Sequence, residues 1–230
     1  MKKIAVYALI ITLLVVALVL TQTEVNNNYQ TKEKDMLIEL PQPRLKGETS
    51  LEEAVKERRS VRSYKEEPLS LEKVSQILWS AQGLTESDFR AAPSAGALYP
   101  LSVYVVFEEV DDVVPGVYKY IVEDHKLQMV EEGSFREEVY ESALNQSSVK
   151  EAPFILIITA DYSVTEARYG SRAERYVHME AGHVGQNIYL QATVLNLGTV
   201  AIGAFSDDRI KDIINNEETP LYIFPIGKQL

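Results

Sequence analysis

The chain contains no cysteine among its 230 residues. That absence removes disulfides, thiol nucleophiles, iron–sulfur clusters and thiolate zinc sites together. It leaves the compartment open, because an oxidising space permits disulfides without requiring them. No G-x-G-x-x-G follows a strand pattern, so a Rossmann site is not supported. No G-x-x-x-x-G-K-[ST] occurs, which excludes a P-loop, and no G-x-S-x-G occurs, which argues against a nucleophile-elbow hydrolase. Basic runs are equally scarce. The densest is Lys56, Arg58, Arg59 and Arg62, in a chain of formal net charge −11. An acidic surface repels phosphate backbones, so neither DNA nor RNA is an expected partner.

The length fits one domain plus an appendage, and 46% hydrophobic with 25% charged residues is ordinary for a globular core. Lys2 and Lys3 precede an apolar run from Ile4 to Leu20, interrupted only by Thr12 and the Tyr7 hydroxyl. Its 17 residues are the lower limit for crossing a hydrocarbon core of ~30 Å at ~1.5 Å per residue. An uncleaved anchor and a cleaved signal peptide are the two readings. The lack of an A-x-A site after the run favours the anchor, and the two lysines place the remainder outside the cytoplasm. The expected organisation is therefore a membrane segment over 1–21, a linker over 22–47 and a folded domain over 48–230. Residues 48–230 carry 17 basic and 30 acidic side chains, a balance of −13.

Ser50 with Glu53 is a capping-box pattern and opens a helix through about Arg58. Ser70 and the apolar Val74, Ile77, Leu78 and Ala81 predict a second helix ended by Gly83. Leu101 to Phe107 predicts a strand, and 116–122 with 126–130 a hairpin or meander. A helix over 134–145 with its cap at Ser134 follows, then a strand buried on both faces over 154–160. The longest helix is expected over 172–197, a short strand over 200–205, a helix over 207–215 and a last strand over 221–226. Helices and strands without strict alternation argue for an α+β domain with helices flanking one sheet.

Three segments invite a ligand. Arg58-Arg59-Ser60-Val61-Arg62 crowds three guanidinium groups and a hydroxyl into five residues, costly unless an anion binds, since arginine forks match phosphate oxygens. A solvated patch paired with Glu57, Glu66 and Glu67 is the competing reading. The uncharged loop from Ala92 to Pro100 is small and bracketed by prolines, so its backbone can approach a flat ligand closely; a plain surface turn has no need of that composition. Gly198 to Phe205 places Gly203 after a strand, a weak signal alone, because glycines often mark bulges. A fourth segment, His178 to His183, invites a zinc reading. Its histidines are five apart, about 140° around a helix, so no metal site is expected there.

In this order the pieces resemble the nitroreductase-like flavoproteins, and most of all the SagB-type subgroup that includes thiazoline/oxazoline dehydrogenases. The strings that carry the likeness are RRSVRSY from Arg58, RAAPSAGALYP from Arg90, PGVYKY from Pro115, EAGHVGQNIYLQA from Glu180, LGTVAIGAF from Leu197 and PLYIFPIG from Pro220. The resemblance implies a nitroreductase-like fold, with a central mixed, mainly antiparallel sheet flanked by helices. It implies a homodimer with one FMN in each of two interface pockets. Arg58, Ser60 and Arg62, with Arg59 beside them, would hold the phosphate and pyrimidine edge. Pro93, Ser94, Ala95, Gly96 and Ala97 would approach the flavin from the other subunit. Ile202, Gly203 and Ala204 would lie by the dimethylbenzene–N5 side, and Lys228 would be a second phosphate contact.

The activity so implied is hydride transfer through flavin N5 to or from a nitro compound, a quinone or an azoline-like ring. NAD(P)H or a quinol would be the electron donor, and no side chain need act as nucleophile. Lys119-Tyr120 matches the Lys-Tyr pair of the azoline dehydrogenases only as a dipeptide. A non-catalytic flavin-binding protein or membrane-complex subunit is the alternative.

Overall fold

The computed structural model describes residues 37–230. The membrane segment expected over 1–21 and most of the linker lie outside the described residues. Among the described residues, no helix is long and apolar enough to cross a membrane.

One seven-stranded sheet organises the chain. Its strands are β1 (Leu37–Glu39), β4 (Leu101–Phe107), β5 (Gly116–Ile121), β6 (Lys126–Glu132), β7 (Phe154–Ala160), β8 (Leu197–Thr199) and β9 (Thr219–Lys228), in the order β1-β6-β5-β4-β7-β9-β8. The pairs from β6 through to β8 are antiparallel. A separate two-stranded hairpin joins β2 (Leu84–Glu86) to β3 (Phe89–Arg90). The helices are α1 (Leu51–Glu57), α2 (Leu71–Gln82), α3 (Arg136–Ser142), α4 (Ser147–Glu151), α5 (Tyr162–Tyr169), α6 (Ala173–Val194) and α7 (Asp207–Ile214).

Every residue of β7 is buried, as its unbroken apolar run requires. Alternation sends Leu156 and Ile158 to one core and Ile155 and Ile157 to the other. The first core receives Val74, Ile77 and Leu78 of α2 and Val177, Ala181, Val184 and Ile188 of α6. The second receives Val139 of α3, Val149 of α4 and Ile210 and Ile214 of α7. Each valine, leucine or isoleucine among them contributes about 1.5–3 kcal/mol when taken fully from water. The buried positions of α6 recur every three or four residues, which lays its 22 residues along the first face.

The capping box of α1 forms as expected, with Glu53 N donating to Ser50 Oγ and Ser50 N to the Glu53 carboxylate. Five expectations need correction. The linker expected to run to residue 47 is shorter, since the compact unit begins at Ile38: Leu40 is buried in the core and Ser75 Oγ donates to Pro41 O. Ser134 does not cap α3. The Glu108 carboxylate does, accepting from Phe135 N at 3.0 Å and Arg136 N at 2.9 Å, while Ser134 Oγ donates to the same group. The helix expected over 172–197 ends at Val194, and the strand expected over 200–205 lies earlier, at Leu197–Thr199; beyond it only Ile202 bonds to the sheet, at Ile223. Finally, α5 was not expected at all. Asp161 caps it through Ser163 N, yet it buries only Thr165 and so shows no apolar stripe.

Candidate functional site

The arginine segment is riveted to the sheet edge formed by β8 and β9. Val61 N donates to Thr199 O at 2.9 Å, and Lys65 N to Lys228 O at 3.0 Å. Tyr64 is buried, and its hydroxyl reaches Val61 O and Pro225 O at 2.9 and 3.0 Å. Burial raises the pKa of that phenol far above its ordinary value, so it stays a donor. Two glycines permit the approach. A Cβ on Gly198 would lie 2.6 Å from Val61 Cγ1, and one on Gly227 2.7 Å from Tyr64 Cβ.

Tyr189 of α6 couples this segment to the next one. Its hydroxyl lies 3.0 Å from Ser60 Oγ and accepts from Ala201 N at 2.8 Å. The Arg58 guanidinium lies over its ring at 5.2 Å. Among the described residues, neither Arg58 nor Arg62 makes an ion pair within 4 Å. Arg59 turns back to its own backbone, on Lys56 O and Arg58 O. Ile202 is buried, whereas Gly203 and Ala204 are exposed, and a Cβ on Gly203 would meet nothing within 4 Å. Lys228 shares this edge, but its ammonium is held 2.6 Å from Glu67. It is therefore already partnered, and an added anion would have to compete with that carboxylate.

The loop of Pro93 to Ala97 lies elsewhere. Ala91 O accepts from Asn187 of α6, and the loop then runs toward the N-terminal half of that helix. Ser94 Oγ accepts from Tyr99 N at 2.9 Å. Gly96, Ala97 and Tyr99 all have positive φ, 65°, 53° and 51°. Two of these carry side chains, which costs of order 1–2 kcal/mol each. Gly96 touches the end of α5: Arg168 Nη1 lies 3.4 Å from Gly96 O, and an added Cβ would sit 2.8 Å from that nitrogen and from Tyr169 Oη.

One chain thus brings Arg58, Ser60, Arg62, Ile202, Gly203, Ala204 and Lys228 to one edge and Pro93 to Ala97 to another place. Glu180, which contacts the loop, and Tyr189, which contacts Ser60, are nine residues apart on α6, about 13 Å along its axis. A single copy does not enclose a ligand between the two. A cavity of about 820 Å³ between residues 44–51 and the C-terminal half of α6 is lined by none of these residues.

Lys119 and Tyr120 point to opposite faces of β5. Lys119 Nζ is 3.8 Å from Glu218, and Tyr120 Oη is 2.7 Å from His125 Nδ1. His178 Nε2 lies 2.7 Å from Tyr162 Oη. Three residues not expected as parts of the site are Tyr189, Glu180 and Gln82. Only Tyr189 had a visible signal, an aromatic on a helix face that also carries small residues.

A family model described as the nitroreductase family matches residues 55–228. A protein of Methanocaldococcus jannaschii named as a nitroreductase is 47% identical over 184 residues, covering 80% of this chain and 93% of that relative. The trifolitoxin operon protein TfxC of Rhizobium leguminosarum is 27% identical over 188 residues, covering 74% of this chain and 53% of TfxC. Among solved structures, a nitroreductase from Ralstonia eutropha superposes with a TM-score of 0.74 at 26% identity, over 85% of this chain and 90% of that one.

Proposed function

The chain belongs to the nitroreductase family, and from that premise we propose an FMN-dependent oxidoreductase that works as a homodimer with the cofactor at the subunit interface. Family membership makes it an oxidoreductase, and members of the family typically bind FMN. One observation carries the proposal. Two guanidinium groups without carboxylate partners among the described residues flank Ser60 in a domain of charge −13, and Ser60 is fastened through Tyr189 to the backbone just before Gly203. That donor set suits a phosphate and a planar polar ring edge.

FMN, when bound, supplies hydride transfer at N5 of its ring system. Arg58, Ser60 and Arg62, with Arg59 beside them, hold the phosphate and the pyrimidine edge. Their positive charge favours an electron-rich ring. The backbone of Ile202, Gly203 and Ala204 would line the dimethylbenzene–N5 side of the bound ring. Residues 93–97 of a second copy close the far side and exclude water. Lys228 is a further phosphate contact once it leaves Glu67. No side chain of this chain acts as nucleophile. The exposed apolar Leu51 and Val55 of α1 support burial against a second copy.

The similarity to TfxC supports a place near the SagB-type subgroup. The substrate is then a nitro compound, a quinone or an azoline-like ring, and the donor NAD(P)H or a quinol. The apolar run at 4–20 anchors the chain with its domain outside the cytoplasm, which favours a membrane quinol. Anaerobic addition of NADH, NADPH and a menaquinol to the FMN-loaded chain tests this reading. Bleaching of the visible flavin band by one of them is expected. Bound flavin that none of them bleaches overturns turnover and leaves a non-catalytic flavin carrier or complex subunit. Protease cleavage in intact cells tests the placement, and cleavage only after lysis refutes it.

A further inference from the structure

Glu180 is 2% exposed, in the middle of α6, and belongs to no role described so far. Its Oε1 has no hydrogen-bond partner, and neither does Nε2 of Gln82, which is fully buried on α2. Gln82 and the Ser94 hydroxyl both stand beside the carboxyl. The other groups form a hydrogen-bonded chain whose two ends, Ser94 and Gln82, flank the carboxyl. Ser94 Oγ accepts from Tyr99 N at 2.9 Å, so its own hydrogen is free to turn toward Glu180. Tyr99 Oη accepts from Arg90 N at 3.2 Å, and the Arg90 guanidinium lies 4.8 Å over the Tyr99 ring. Arg90 Nη1 then donates to Gln82 Oε1 at 3.3 Å, which turns the Gln82 amide nitrogen away from Arg90.

We infer that Glu180 is a positioning residue for the 93–97 loop, its buried carboxyl closing a ring of Ser94, Tyr99, Arg90 and Gln82 that holds Gly96, Ala97 and Tyr99 in left-handed backbone conformations. The importance of that loop for flavin rests on the function proposed above; the positioning itself does not. The Ser94 hydroxyl and the Gln82 amide nitrogen are both donors and favour an ionised carboxylate, whereas burial favours the neutral carboxyl. Burial pushes the Glu180 pKa up to about 7, against the opposing pull of Ser94, Gln82 and Arg90. Arg90 of β3 is the charged group that acts on it; α2 and the loop present only the neutral Gln82 and Ser94. An ionised Glu180 is buried with incomplete hydrogen bonding, and opening the loop to water relieves it.

Hydrogen exchange on the purified full chain without FMN tests this. The reporters are the amides of Ala97 and Tyr99, which donate to Ser94 O and Oγ. In the native chain, their protection, corrected for intrinsic exchange, should fall by up to about tenfold per pH unit between pH ~4.5 and ~7 and level off above that. Glu180→Gln, which mimics the neutral carboxyl, should keep the protection and lose its pH dependence. Glu180→Ala should lose protection at every pH. If that variant does not fold, the Gln variant still decides. Equal pH responses in the native chain and Glu180→Gln, or none in either, overturn the inference. An FMN titration of the same samples separates the two claims: exchange that behaves as expected without flavin binding refutes only the cofactor reading.

Discussion

Replacing Gly198 by alanine probes how the arginine segment is held. The new methyl would lie 2.6 Å from Val61 Cγ1, 2.8 Å from Val61 Cβ and 3.2 Å from Tyr64 Cε1. Carbon atoms prefer about 3.5–4.0 Å, so Val61 must retreat by about 1 Å. It cannot simply rotate. Its side chain is β-branched, and its N–H is bound to Thr199 O. Overpacking of this kind costs about 1–3 kcal/mol, and for a domain of this size each kcal/mol lowers Tm by about 2–4 °C. The expected change is a fall of about 2–12 °C in a thermal melt. Arg58, Ser60 and Arg62 flank Val61, so FMN affinity, read by quenching of flavin fluorescence, should fall at least about tenfold, or about 1.4 kcal/mol. Gly203→Ala is the control. Its methyl meets nothing within 4 Å, so stability should stay within about 0.5 kcal/mol while flavin binding weakens. A Gly198→Ala chain that melts and binds FMN like the native one would refute the close packing of this segment on β8.

Tyr189→Phe should leave Ala201 N–H without its acceptor and Ser60 without its partner, costing about 1–3 kcal/mol by urea unfolding and loosening FMN. Glu180 sets a pH dependence of stability. Its folded value of about 7 exceeds the ordinary 4.5, so the folded state holds an extra proton between those values. Stability is greatest below pH ~4.5 and declines as pH rises to ~7, by about 3 kcal/mol in all. Urea midpoints of the native chain measured against Glu180→Gln should isolate that decline; parallel curves would contradict it. Glu67→Gln releases the Lys228 ammonium. It should change stability by less than about 1 kcal/mol and tighten FMN at low salt, a gain that Lys228→Met should abolish.

Sequence patterning revealed those elements whose causes are local. The bounds of β4 and β7 follow from their apolar runs, and α1 from Ser50 and Glu53, because composition and capping act within a few residues. What escaped depends on distant partners. Glu108 caps α3 from β4's far end, a bond across 28 residues that no local rule contains. The exposed α5 has no stripe to read. The edge strand falls at 197–199, not at 200–205, because its pairing with the distant β9 sets its position. The arginine segment and Gly203 were legible as candidates because crowded charge and small residues are themselves unusual. Their coupling through Tyr189 was not. Nor was the ring around Glu180, which needs α2, the 90–99 segment and α6 to meet.

The stoichiometry of FMN binding decides most directly whether these segments make a cofactor site. The purified chain, stripped of flavin, should be titrated with FMN while its mass is followed by light scattering. Two FMN per dimer is the expected result, with binding weakened at least about tenfold by Arg58→Ala or by Gly96→Ala. Absence of saturable FMN binding at micromolar concentration, or full binding by a monomer in which residues 93–97 are irrelevant, would contradict it.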